Sequence, residues 1–390
     1  TVGFAPNYPL TNPDATPGQV GNETPGYFSD PGPFPEGVIF RNDVLRTDKQ
    51  VGLFGEATWD ITNQFAVTVG ARYYDVEVDL EGSANSSFYN LFTESDQQVF
   101  GTNISDLYSG NHPSGAPDKA ATDGMIYKFT GEWTPTQDLL FYATYSEGFR
   151  PGLLNRPGGA AGPGGYTVPY AVDTDEVKNY EIGWKTELFQ NTLRFNGSAF
   201  FVDISGLQTT IFDPSIVNLF FSDNAANAEL QGVEGDFTWA PAEIDGLTIA
   251  GGFSFLDSEV TEVLVPTNDV LLGSDLAFAP GYQGNLRTRY EWDLNQEIGG
   301  QMLTAHVMPQ IVFSDESFTD IIEINKMQLD SYVTLGGTLG VTANNWSAEL
   351  FAENLTNEYV ELSGNFVNDR ERIVPMRPRT IGVRVSYDFN

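Results

Sequence analysis

The sequence predicts an all-β protein, an antiparallel transmembrane β-barrel, on three observations. Apolar residues alternate with small or polar ones at a period of two almost throughout the 390 residues. The connections between the resulting strands are alternately short and long. Six tryptophans each lie beside a different short connection. Helical periodicity is almost absent, and no stretch approaches the roughly 18 apolar residues of a membrane helix.

The alternation defines two faces. In "LRFNGSAFF", Leu193, Phe195, Gly197, Ala199 and Phe201 share one face, and Arg194, Asn196 and Ser198 the other. In "LTIAGGFSF", Leu247, Ile249, Gly251, Phe253 and Phe255 oppose Thr248, Ala250, Gly252 and Ser254. The pattern predicts thirteen strands, at 46–60, 65–80, 123–133, 138–149, 176–188, 192–209, 226–239, 247–259, 281–292, 301–314, 327–342, 345–356 and 376–389. Apolar residues would face lipid, and the small polar and charged face would line a wet lumen.

Loop length then orients the strands. Short connections fall near 61–64, 134–137, 189–191, 240–246, 293–300 and 343–344. Long ones fall near 81–122, 150–175, 210–225, 260–280, 315–326 and 357–375. Short periplasmic turns and long extracellular loops are what an outer-membrane barrel needs. Trp59, Trp133, Trp184, Trp239, Trp292 and Trp346 mark the short-turn rim as a membrane-interface girdle, because an indole ring is apolar on its body and wet at its N–H. A soluble β-core gives no reason to confine Trp to alternate turns.

Composition removes other classes. There is no Cys, hence no disulfide or thiolate metal site, and no metal or cofactor site is expected. Asp and Glu number 53 against 19 Lys and Arg, a net charge of −34 that repels nucleic-acid phosphates. From Phe195 to Leu286 there is no Lys or Arg at all. That acidity disfavours a strongly anionic ligand unless local Arg offset it. The carboxylates suit a solvated surface bridged to lipopolysaccharide through divalent cations. The two histidines, His112 and His306, are far apart, and His306 reads as a solvated residue of the lumen wall. No catalytic constellation is visible, so an enzyme is not expected.

With the strands placed, several segments resemble TonB-dependent outer-membrane receptors. "YSEGFRPG" (145–152) is similar to a stretch of their barrel wall, and "VKNYEIGWKTELFQNTLRFNGSAFFVDISGLQ" (177–208) to one of their hairpins. "NAELQGVEGDF" (227–237), "ELFAENLTNEYV" (349–360) and "RPRTIGVRVSYDF" (377–389) resemble later strands. The likeness covers about 46–390, although Asn390 follows the aromatic residue on which such chains usually end. The resemblance implies a barrel of about 22 strands, filled by an N-terminal plug and energised by the TonB complex. Residues 1–41 then read as an extracellular Pro/Gly-rich loop, and 42–390 as the C-terminal part of the barrel, with the plug and remaining strands outside this chain. An open sheet cannot sit in lipid with two unpaired edges, so those other parts must close it.

The resemblance implies import of a scarce nutrient, a ferric siderophore or similar chelate by family frequency. A passive porin and a non-transporting surface-binding barrel are the alternatives. Arg150, Asn155, Arg156, Tyr170, Phe220 and Phe221, all on long connections, are the candidates for touching a small-molecule ligand. Arg150 reads first as a loop anchor paired to a nearby carboxylate and only second as a ligand contact. Ile381, Val383, Val385, Tyr387 and Phe389 form an apolar stripe at the C-terminus, read as an assembly signal as well as a wall.

Overall fold

The structure, a computed structural model, describes residues 40–86, 100–156, 158–212, 220–265, 269–367 and 370–389. Among these, thirteen long strands form one antiparallel ladder in chain order. They are β1 (Phe40–Thr62), β2 (Phe65–Ser86), β3 (Ala120–Thr136), β4 (Leu139–Arg150), β5 (Asp175–Leu188), β6 (Leu193–Phe212) and β7 (Phe220–Trp239). The ladder continues through β8 (Leu247–Val263), β9 (Tyr282–Ile298), β10 (Gln301–Ser314), β11 (Tyr332–Thr342), β12 (Trp346–Glu353) and β13 (Thr380–Tyr387). Each strand pairs with its sequence neighbours, as hairpin connections dictate, and among the described residues β1 and β13 pair on one side only.

The register turns the period-two pattern into two surfaces. One cross-strand row reads Tyr142, Gly183, Ser198, Glu234, Ser254, Gln283, Ser314. The adjacent row, one residue away on the opposite face, reads Phe141, Trp184, Gly197, Gly235, Phe253, Gly284, Phe313. Ile182, Val383 and Val385 on that apolar face are well over half exposed, which suits hydrocarbon and not water. The polar face therefore lines the lumen. Glycines in the apolar row are places where aromatic rings lie flat on the neighbouring strand. A Cβ at Gly197 would stand 2.5 Å from the Trp184 ring, and one at Gly284 2.6 Å from that of Phe313.

The polarity of the faces inverts near the ends that carry the long loops. In β2 the lumen-side residues Val76, Val78 and Leu80 are apolar and buried, whereas the outward Asp75, Glu77 and Asp79 are acidic. Val76, Val78 and Leu80 pack against Ile104, Leu107 and Tyr108 of the loop after β2, and against Leu154. On the next wall segment, Ala226, Ala228 and Val260 pack against Val270, Leu276, Ile321 and Ile322 from two other loops. Folded loops thus cap the inner wall with apolar cores, and the reading of a uniformly polar lumen face holds only below them.

Other boundaries also differ from the sequence reading. The first strand begins at Phe40, two residues inside the segment read as a loop, and residues 1–39 lie outside the described residues. β9 runs on to Ile298, so its turn is Gly299–Gly300, both with positive φ, rather than the span 293–300. Gln328–Leu329 leaves the wall and pairs with Ser317–Phe318 inside the loop. Phe220 and Phe221 begin β7 instead of lying in a loop. His306 does sit on the lumen face, but it is fully buried, not solvated. Its Nε2 lies 3.1 Å from Glu349, and Gly340 on the neighbouring strand leaves the room its ring occupies.

Candidate functional site

The candidate ligand residues gather at the long-loop mouth of the wall, where β4 ends and the loop 151–174 folds back over it. Arg150 and Asp175 stand opposite each other at the top of the β4–β5 ladder. The Arg150 backbone N–H and Nε donate to Asp175 at 2.8 and 2.6 Å, and its Nη2 donates to the Gln208 carbonyl at 3.1 Å. Asp175 is 1% exposed, so its charge is compensated almost wholly by Arg150 and the N–H of Gln208. The Gln208 amide returns hydrogen bonds to the carbonyls of Pro151 and Asp173. Arg150 is therefore an anchor that ties two loops to the wall. Phe149 is half-buried, its ring stacked on Tyr74 at 3.6 Å between centroids.

Asn155 is a second anchor. Its Nδ2 donates to the carbonyls of Pro169 and Ser222 at 2.9 and 2.8 Å, and its Oδ1 accepts the Ser222 N–H at 2.8 Å. The Tyr108 hydroxyl donates to the carbonyls of Asn155 and Tyr170, and burial pushes its acidity further down than an ordinary phenol's. Phe221 is buried against Val168 and Tyr166, whose hydroxyl donates to Asp223. These ties leave little of Asn155, Tyr170 or Phe221 free to move.

A recess of about 380 Å³ remains on the lumen side of this cluster. Arg156, Asn155, Phe220 and Phe221 line it, together with Arg46 and Leu153. Arg150 and Tyr170 are outside it. Burial lowers the pKa of Arg156, and no described residue gives its guanidinium a hydrogen bond or an ion pair. Among the described residues Arg46 pairs with the exposed Asp48 alone, two residues on, at 2.8 Å. Sequence reasoning missed Arg46, Tyr108, Asp175 and Gln208. The Arg150–Asp175 register could have found Asp175 and Gln208, but a long loop does not specify register, and no signal in the sequence brings Arg46 or Tyr108 to this end.

Below the mouth, a second hollow in the lumen wall holds Glu181, Glu234 and Asp236 beside Lys185 and the Tyr142 hydroxyl. Among the described residues no three His, Asp or Glu side chains gather closely enough to hold a metal ion by themselves. At the opposite rim the register places all six tryptophans on the apolar face, next to their short turns. Trp133 meets Phe141, and Trp292 meets Tyr290, each at 5.6 Å between ring centroids. Ile381, Val383, Val385 and Tyr387 share that face on β13, and the Phe389 ring packs edge-on to Tyr387 at 4.7 Å.

The family model for TonB-dependent receptor-like β-barrels matches residues 4–355. The chain belongs to the TonB-dependent receptor β-barrel family. Barrels of this family reside in the outer membrane of Gram-negative bacteria, and thirteen membrane-crossing strands fit that placement. The fold is similar to the ferric yersiniabactin uptake receptor FyuA from Yersinia pestis, at TM-score 0.67 and 18% identity over 89% of this chain and 46% of that one. It is similar to the siderophore receptor PiuA from Acinetobacter baumannii, at 0.60 and 17% over 88% and 44%. It is equally similar to the copper transporter OprC, at 0.61 and 12% over 88% and 50%. The chain spans about half the length of these structures, and at such identities the likeness carries the fold alone.

Proposed function

We propose that the receptor to which this wall belongs imports a scarce nutrient across the outer membrane, a ferric siderophore or similar chelate. The ligand enters at the mouth. An N-terminal plug fills the lumen below, and the TonB complex supplies energy through it. The observation that carries this reading is the recess at the mouth of a family-typical wall, built on loops that buried ties hold rigid. A rigid scaffold that presents side chains at its rim is how barrels place binding groups. FyuA is a ferric yersiniabactin uptake receptor and PiuA a siderophore receptor, which supports an iron chelate, while OprC is a copper transporter, so the fold alone does not choose the metal.

The outward face has its own partner in this reading. Asp203, Glu229 and Glu259 stand side by side across β6, β7 and β8 near the extracellular end. Like charges opposite one another repel, so divalent cations bridging to lipopolysaccharide phosphates would stabilise the row. The six tryptophans form the interface girdle at the other end. The import claim is tested by uptake of radioactive iron chelates in cells carrying the complete receptor, with and without TonB. Uptake that requires both supports it, and equal uptake without TonB contradicts it.

A further inference from the structure

We propose that the hairpin joining β9 to β10 is a docking surface for a positively charged segment of the TonB complex. The contact is made by the barrel wall and is separate from the one that passes through the plug. This rests on the import reading, which puts the short turns in the periplasm, and it gives the partner in that reading a second surface.

Reach is the first argument. The pairing of β9 with β8 ends at Tyr290 opposite Leu247, and that of β10 with β11 ends at Thr304 opposite Thr342. Past those points β9 and β10 pair only with each other among the described residues, from Asp293 opposite Thr304 to Ile298 opposite Gln301. The other short turns stay close to the rim. At the β3–β4 turn only residues 134–136 run on past the last pair with β2, Phe65 with Trp133. At the β7–β8 turn Trp239 is still paired on both sides. The steps from Thr304 to Gln301, at roughly 3.3 Å each, carry the hairpin tip about 10 Å beyond the end of β11. A tight turn at the rim would have closed the wall without that extension.

The second argument is which side of the hairpin is open. Alternation puts Asp293, Glu297, Met302 and Thr304 on the lumen side, and Ile298 and Gln301 on the outer side. Asp293 and Glu297 are exposed, and Met302 is more than half exposed. A flexible thioether beside carboxylates is an adaptable contact surface. The edge of β9 is a different matter. Residues 294–296 stand where β10 has Leu303 alone, with Asn295 at positive φ. Such a bulge bends the strand and blunts its edge against pairing with another chain. The hairpin therefore offers its lumen-side face, and that face lies under the opening through which a periplasmic partner reaches the plug.

Charge names the occupant. No Lys or Arg occurs from Tyr290 to Asn325, nor in the neighbouring turn from Trp239 to Thr248, where Glu243 and Asp245 join Asp293 and Glu297. Thr304 donates to Asp293 at 3.1 Å, a neutral partner that leaves the charge in place. The summed negative potential draws a cationic chain segment and speeds its approach. A second copy of this chain, at a net charge of −34, is repelled, as are lipid phosphates.

The test uses the complete receptor in outer-membrane fractions, with the purified periplasmic domain of TonB as the probe. The double variant Asp293→Asn, Glu297→Gln should weaken binding by roughly three- to tenfold and flatten its salt dependence, with the loss in the association rate. The double variant Asp293→Lys, Glu297→Lys should weaken it further. Both positions are exposed, so neither change should lower the amount of receptor in the membrane. Asp138→Asn, at the β3–β4 turn, should leave binding unchanged. Met302→Cys should form a disulfide with single cysteines placed in basic stretches of the probe, and Gln301→Cys, on the other side of the hairpin, should not. Unchanged affinity in both double variants would overturn the inference, and uptake that still requires TonB would then leave the import reading standing. Linking at 301 as readily as at 302 would also overturn it. Binding that depends on the two carboxylates, in a receptor whose uptake needs no TonB, would instead uphold the surface and contradict the import reading.

Discussion

The two halves of the wall follow the same alternation with opposite meaning. In the lower half, outward residues are apolar and inward ones polar: Phe195 and Phe253 face out, Asn196 and Ser254 face in. In the upper half of β2 the outward residues are Asp75, Glu77 and Asp79, and the inward ones Val76, Val78 and Leu80. The backbone geometry is unchanged across this switch. What changes is the surroundings: hydrocarbon outside and a polar lumen inside below, water outside and packed loops inside above. A face has no polarity of its own, only the polarity of whatever covers it.

The contrast can be broken from either side, and the largest effect should come from the membrane band. Deleting Tyr387–Asn390 from the complete receptor removes the end of the β13 stripe, with the Tyr387–Phe389 ring contact and the Tyr387 bond to Asn345. Insertion should fail, and the receptor should be absent from outer-membrane fractions. Asp388→Asn should insert normally, since its side chain is no part of that stripe.

A smaller but still large effect should follow from a charge in the upper inner wall. Val78 is 1% exposed, and Val78→Asp should destabilise the mouth by about 3 kcal/mol or more. The receptor should still insert, while protease should cut its extracellular loops. Ser146→Asp, on the lower inner face beside Lys128, should change stability by no more than about 0.5 kcal/mol.

Next comes the tie between the halves. Asp175→Asn leaves the Arg150 and Gln208 donors with a neutral acceptor in a buried site, a loss of roughly 1–3 kcal/mol. Hydrogen exchange should accelerate in 151–174 and 205–210 but not in the lower strands.

The smallest effect concerns Asp320, whose carboxyl accepts the Ile322 N–H at 3.0 Å. Burial raises its pKa above the ordinary carboxylate value. The folded loop therefore holds a proton that the unfolded one has already released, and its stability falls as pH rises from the unfolded to the folded pKa. Exchange in 315–329, after correction for the intrinsic pH dependence of amide exchange, should slow when the pH is lowered through that window. Asp320→Asn, which keeps the acceptor and drops the charge, should abolish the dependence.

The lower half was legible in the sequence because lipid imposes one unbroken rule on it. Period-two stripes placed all thirteen strands, and the short turns put each Trp beside its own. The inversion was also written there, in the run "DVEVDLEG" after Tyr74, but it has meaning only once loops are known to fold inward. His306 was misjudged for a related reason: a polar residue on a wet face is solvated only if its neighbours leave it uncovered, and Glu349 covers this one. The Arg150–Asp175 pair was out of reach because a connection of more than twenty residues does not fix which residues stand opposite each other. The recess required three such connections to be folded at once.

Cysteine accessibility compares the two halves most directly. Single cysteines would replace Arg194, Phe195, Asn196 and Phe201 in β6, and Glu77 and Val78 in β2, in the complete receptor embedded in outer membrane. A membrane-impermeant thiol reagent should reach Arg194→Cys and Asn196→Cys but not Phe195→Cys or Phe201→Cys. It should reach Glu77→Cys but not Val78→Cys until protease opens the loops. Labelling at 195 with protection at 194 would reverse the faces, and labelling at 78 as fast as at 77 would remove the loop-packed upper wall.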